Sequence, residues 1–64
     1  MKLNGTQIPL AQPLPLTELL AQQGYPNERI AVEKNGEILP KTAYGTTMVD
    51  DGDTLEIVCF VGGG

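Results

Sequence analysis

Asp51-Gly52-Asp53-Thr54-Leu55-Glu56-Ile57-Val58-Cys59-Phe60-Val61-Gly62-Gly63-Gly64 joins an acidic turn, a strand and a glycine tail in one run. From Thr54 to Val61 the side chains alternate with period two. Leu55, Ile57, Cys59 and Val61 fall on one face, and Thr54, Glu56, Val58 and Phe60 on the other. The three aspartates around Gly52 read as turn formers, because they lack the full ligand set and closing Glu of a calcium loop. The three terminal glycines have no side chain to pack, so they are expected to form a flexible arm able to thread a narrow slot.

Working back from this strand, the same alternation recurs in shorter pieces. Arg29-Ile30-Ala31-Val32-Glu33-Lys34 leads into Asn35-Gly36 and then Glu37-Ile38-Leu39, with Pro40 stopping the strand. Asn-Gly between alternating runs predicts a hairpin with a type I′ turn, which needs positive φ at both central residues. A two-residue loop sets Lys34 opposite Glu37 as an opposite-charge pair, and Val32 opposite Leu39 on the core side. Near the start, Met1-Lys2-Leu3, Asn4-Gly5 and Thr6-Gln7-Ile8-Pro9-Leu10 repeat the pattern. Pro9 has no N–H, so this second strand is expected at a sheet edge.

One segment has helical period instead. Leu16, Leu19 and Leu20 share a face in Leu16–Gln23, with Pro15 suited to the first turn, Gly24 to the C′ position and Pro26 blocking continuation. A helix of about two turns cannot stand alone and must pack on a sheet. Thr42-Ala43-Tyr44 predicts one further helical turn ending at Gly45; Tyr25 and Tyr44 read as packing or surface residues. The element order is therefore β-β-α-β-β-turn-β, an α+β layer arrangement with one helix on one face of a mixed sheet of about five strands.

With 64 residues, 41% of them hydrophobic and 19% charged, the chain is one small domain with too little wall for a substrate cleft of its own. Eight Asp/Glu against four Lys/Arg give a net charge of −4, which argues against nucleic acid and anionic membranes and suits a partner with a basic face. One cysteine and no histidine preclude an internal disulfide, the usual zinc sites and imidazole acid–base chemistry. No run is long enough to span a membrane and no apolar signal-type segment follows Met1, so a reducing, cytoplasmic setting is expected. Cys59 reads as a small half-buried strand residue rather than a relay thiol, since nothing cationic near it in sequence would favour the thiolate.

The element order, the segment Val32–Pro40, and Asp51–Val58 running on to Val61-Gly62-Gly63-Gly64 together resemble the ThiS family of sulfur carriers in thiamine biosynthesis, over essentially the whole chain. The resemblance implies a ubiquitin-like β-grasp domain over residues 1–61 and a flexible tail over 62–64. It also implies that the Gly64 carboxylate is adenylated by an E1-like enzyme, with Gly62, Gly63 and Gly64 threading the partner's active site. Sulfur from a persulfide donor then gives a C-terminal thiocarboxylate that supplies thiazole synthase. ATP and Mg²⁺ belong to the activating partner; this chain is expected to bind no cofactor or metal and to act as a co-substrate rather than an enzyme.

Val58, Phe60 and Val61 are the expected docking residues. Val58 and Phe60 project from the side of the last strand away from Leu55 and Ile57, and are exposed if the helix leaves that side open. Three other readings share the same residues. A molybdopterin-type carrier has the same tail chemistry, although its members are usually longer; a ubiquitin-like modifier would join the tail to lysines; and a plain binding module would leave the glycines idle.

Overall fold

The computed structural model describes residues 1–26 and 28–60. The first Asn-Gly pair turns β1 (Lys2–Leu3) into β2 (Thr6–Gln7), and the second turns β4 (Ile30–Lys34) into β5 (Glu37–Ile38). Asn4 and Gly5 have φ of 49° and 83°, and Asn35 and Gly36 have 53° and 85°, the double positive φ of type I′ turns. Arg29 also adopts a left-handed φ of 61°, which no turn signal in the sequence announces.

The last strand, β7 (Thr54–Cys59), lies in the middle of a five-stranded sheet ordered β2-β1-β7-β4-β5. It runs parallel to β1 and antiparallel to β4, so the sheet is mixed. β2 is an edge strand, as Pro9 requires. Its pairing continues one residue further through Ile8, whose N–H donates to Met1 O at 2.8 Å.

Helix α1 (Leu16–Gln22) covers one face of this sheet and carries the crossover from β2 to β4. Leu16, Leu19 and Leu20 are buried with Leu3, Ile30, Val32, Val49, Leu55 and Ile57. Each leucine so buried contributes about 1.5–3 kcal/mol, which matters in a chain whose total stability is on the order of 3–10 kcal/mol. The helix ends in a Schellman motif: Tyr25 N donates to Leu20 O at 2.8 Å, Gly24 N donates to Ala21 O at 3.2 Å, and Gly24 has φ 81°.

The helix N-terminus has no side-chain cap. Leu16 N donates instead to Thr47 O at 2.9 Å, continuing a ladder between two short strands, β3 (Leu14–Pro15) and β6 (Met48–Val49). These form a separate two-stranded sheet that no alternating run in the sequence announces. Two-residue strands carry no periodicity of their own, so only the long-range contact reveals them. The short 3₁₀ turn Lys41–Ala43 matches the expected helical turn. It leads into Tyr44, which joins the core and donates its hydroxyl to Ile30 O at 3.4 Å.

Three further expectations need correction. Cys59 is exposed rather than half-buried. Alternation sets it on the side of Ile57, but it ends β7, beyond the last residue of β7 paired with β1, Leu55. The strand itself stops at Cys59, short of Val61. Lys34 does stand across from Glu37, yet its ammonium bridges Asp53 at 3.7 Å, because Asp53 is fixed in the turn that starts β7. The partly buried Leu39 packs against the core, and its N–H donates to Val32 O, as the two-residue loop requires.

Candidate functional site

The C-terminal half of β7 is the place where chemistry-bearing sequence meets the fold. Asparagine side chains from the two hairpin turns grip this strand near both ends. At its start, Thr54 N donates to Asn35 Oδ1 at 2.9 Å, Asn35 N donates to Thr54 O at 2.8 Å, and Asn35 Nδ2 donates to Asp53 Oδ1 at 2.9 Å. Further along, Ile57 N donates to Asn4 Oδ1 at 2.8 Å and Asn4 Nδ2 donates to Ile57 O at 3.2 Å. Past the strand, Phe60 N donates to Arg29 O at 2.7 Å, which keeps the backbone in register up to the last described residue. Sequence inspection read both asparagines only as turn residues; their side-chain roles depend on β7 lying between the two hairpins.

The acidic turn before β7 is a structural anchor. Asp53 N donates to Asp50 O, and Asp50 N donates to Asp53 Oδ2 at 2.8 Å. Asp51 Oδ1 accepts from Leu10 N at 2.9 Å and from the Met1 ammonium at 3.2 Å. The Leu10 amide, followed by the Met1 ammonium, holds the Asp51 carboxyl below its ordinary range. At Asp53, partial burial pushes the carboxyl upward, but Asn35, the Asp50 amide and Lys34 outweigh it and the net shift is downward. A hollow of about 240 Å³ beside this turn is lined by Met1, Lys2, Gln7 and residues 51–54; it is smaller than the roughly 300 Å³ from which ligand pockets begin.

The sheet face away from α1 is open. Val58 is 58% exposed, Phe60 57% and Ile38 76%. Register sets Val58 across from Ala31, and Glu56 across from Glu33, which in turn pairs with Ile38. Val58 and Ile38 therefore share this face, and Phe60 follows two residues beyond Val58. Ile38 was not singled out from the sequence; its place on the same face as Val58 follows only once β4 is known to pair with both β5 and β7. Of the residues expected to carry function, Val58 and Phe60 are exposed apolar side chains as anticipated. Val61, Gly62, Gly63 and Gly64 lie outside the described residues.

A sequence model of the ThiS family matches residues 1–64. The chain belongs to the ThiS family. Among solved structures, the crystal structure of the ThiS thiamine biosynthesis protein from Geobacter metallireducens superposes with a TM-score of 0.78 at 39% identity, covering 98% of this chain and 96% of that one. The sulfur carrier protein ThiS of Bacillus subtilis is 37% identical over 65 residues, covering 100% of this chain and 98% of that protein. A thiazole synthase of Paramagnetospirillum magneticum is 42% identical over 62 residues; the match takes in 97% of this chain but only 19% of that protein. The fold is thus the ubiquitin-like β-grasp of ThiS, and this chain is a member of a family of small sulfur carriers. Among the described residues, no ThiS-family helix here is long and apolar enough to cross a membrane.

Proposed function

We propose that this chain carries sulfur on the carboxyl group of Gly64 for assembly of the thiazole ring of thiamine, in the cytoplasm. The observation that carries this reading is the match of the ThiS family over residues 1–64, a span that takes in Val61-Gly62-Gly63-Gly64. The kinship with thiazole synthases supports the thiazole branch over a pterin-directed carrier or a protein modifier.

A carboxylate is a poor acyl donor, because its leaving group would be oxide. In the proposed sequence, the Gly64 carboxylate, ionised at pH 7 as α-carboxyl groups ordinarily are, attacks the α-phosphate of ATP on an E1-like enzyme. The acyl-adenylate forms and pyrophosphate leaves. The terminal sulfur of a donor persulfide then attacks the acyl carbon and AMP departs. A thiol reduces the resulting acyl persulfide, leaving the thiocarboxylate and a disulfide. Thiazole synthase takes the sulfur from that thiocarboxylate. ATP, Mg²⁺ and the electrostatic stabilisation of phosphoryl displacement come from the activating enzyme.

This chain contributes the arm and the surface that presents it. Glycines 62–64 thread the partner's slot. Val58 and Phe60, with Val61 continuing the segment, dock beside it; exposed apolar side chains of this kind mark interfaces.

Intact mass spectrometry of a Cys59→Ala protein ending at Gly64 tests the reading, after incubation with ATP, a thiazole-pathway activating enzyme and a persulfide donor. The expected result is exchange of one oxygen for one sulfur, lost when Gly64 is deleted. An unchanged mass with a demonstrably active enzyme refutes it.

A further inference from the structure

We infer that Arg29 is a positioning residue for the sulfur-carrying arm: its left-handed backbone holds Phe60 by one hydrogen bond and so sets how the chain leaves β7. The inference rests on the carrier reading above. Arg29 has a φ of 61°. Among the described residues, the other non-glycine positions with positive φ are Asn4 and Asn35, a residue type that tolerates it, each in a two-residue hairpin loop. Arg29 lies in no such loop and directly precedes β4. For a long side chain this conformation is uncommon, and it persists only where the surrounding structure imposes it.

The Arg29 side chain does not account for it. That side chain is exposed and, among the described residues, takes part in no ion pair. The backbone does account for it. β4 and β7 pair residue by residue as far as Ile30 and Cys59, so Arg29 and Phe60 are next in line. Phe60 N donates to Arg29 O at 2.7 Å, but the reciprocal bond from Arg29 N to Phe60 O is not formed. A regular hydrogen-bonded antiparallel pair makes both. The left-handed φ turns the Arg29 N–H out of the ladder and leaves its carbonyl in it.

On the other side, β7 has lost its neighbour before this point. β1 pairs no further than Leu55, and the Asn4 amide reaches only to Ile57. The Arg29 carbonyl is thus the final backbone contact along the described chain, at Phe60, with Val61-Gly62-Gly63-Gly64 still to follow. Four residues extended in a partner's slot reach about 13 Å. The depth at which Phe60 is held therefore decides whether the carboxyl group meets the α-phosphate, and a misplacement of about 1 Å in a reacting group can cost about a hundredfold in rate.

The test separates the Arg29 backbone from its side chain, by ATP–pyrophosphate exchange with the activating enzyme and by hydrogen exchange of the Phe60 amide, both read well below each variant's melting temperature. Arg29→Asn removes the charge but takes up a left-handed φ readily. It is expected to keep kcat within about twofold of wild type and Phe60 protection unchanged. Arg29→Val removes the same charge and resists that φ through its branched Cβ. Its kcat should fall about tenfold with KM within about threefold, because binding survives and alignment does not, and its Phe60 amide should exchange about tenfold faster. A protein assembled by ligation at Cys59, with an ester oxygen in place of the Phe60 N–H, keeps every side chain and loses only the donor. It should match the kcat of Arg29→Val, and it decides the matter if the valine variant does not fold. Wild-type kcat in the ester protein overturns the inference and leaves the carrier reading intact. So does an equal loss of kcat in the asparagine and valine variants, which would assign the effect to the guanidinium. Wild-type protein that supports no exchange removes the carrier reading and this inference together.

Discussion

The side-chain amide of Asn4 pairs with both backbone polar groups of Ile57, accepting at 2.8 Å and donating at 3.2 Å. Asn4 N also donates to Leu55 O at 2.9 Å, so the backbone ladder between β1 and β7 passes into a side-chain rung where β1 turns away. The same amide donates to the Tyr25 hydroxyl at 3.1 Å, linking the turn to the segment after α1. One residue thus supplies a positive-φ turn position and the edge that the second half of β7 would otherwise lack.

Asn4→Gly retains the easy positive φ and removes these bonds. It is expected to lower stability by about 1–3 kcal/mol, the cost of leaving partly buried backbone groups unpaired. Asn4→Asp, which keeps the acceptor for Ile57 N and loses the donor, should fall between. Urea midpoints decide it; a wild-type midpoint for Asn4→Gly would mean that water replaces the amide at no cost.

Leu19→Ala opens a hole between α1 and the sheet. A loss of about 2–5 kcal/mol is expected, enough to unfold a large fraction of so small a domain at 37 °C. Chemical denaturation followed by circular dichroism measures it.

Phe60→Asp should behave oppositely. Its side chain is exposed, so stability should stay within about 0.5 kcal/mol of wild type while use of the protein by the activating enzyme falls. A collapsed melting temperature would show that Phe60 supports the fold.

Acid should weaken the turn before β7. The folded-state carboxyl of Asp53 lies below its ordinary value of 3.8, so the unfolded chain takes up the proton first as pH falls. The stabilisation is therefore fully present above about pH 5 and lost as pH drops through the folded value. Asp51, lowered by the Leu10 amide and the Met1 ammonium, acts with the same sign. Asp53→Asn should be less stable than wild type at pH 7, with the gap narrowing as pH falls below about 4. Melting curves across that range check the sign; a gap that widens in acid would contradict it.

Gly64→Ala tests the arm. A Cβ at the terminal residue should slow adenylation if the partner's slot admits only glycine backbone. An adenylation rate equal to wild type, read by pyrophosphate exchange, would refute threading through a close-fitting slot.

Local chemistry made much of this protein legible. Asn4-Gly5 and Asn35-Gly36 encode their turns because only a few residue types tolerate positive φ. Leu16, Leu19 and Leu20 encode the buried side of α1 through helical spacing, and Leu55 and Ile57 encode the buried side of β7 through period two. The same alternation placed Val58 and Phe60 on the far side. The glycine tail and the run into it carried the family resemblance without any coordinates. Other features required the folded chain, because they depend on residues far apart in sequence meeting in space. β3 and β6 are too short to show a period, and each exists through the other. The amide of Asn4 finds Ile57, and Glu33 faces Glu56, only because β7 inserts between two hairpins that precede it. Cys59 is exposed although its alternation points it toward the core side, since burial needs a covering element as well as a direction. Periodicity decides which way a side chain points; only the packing of distant elements decides what it meets there.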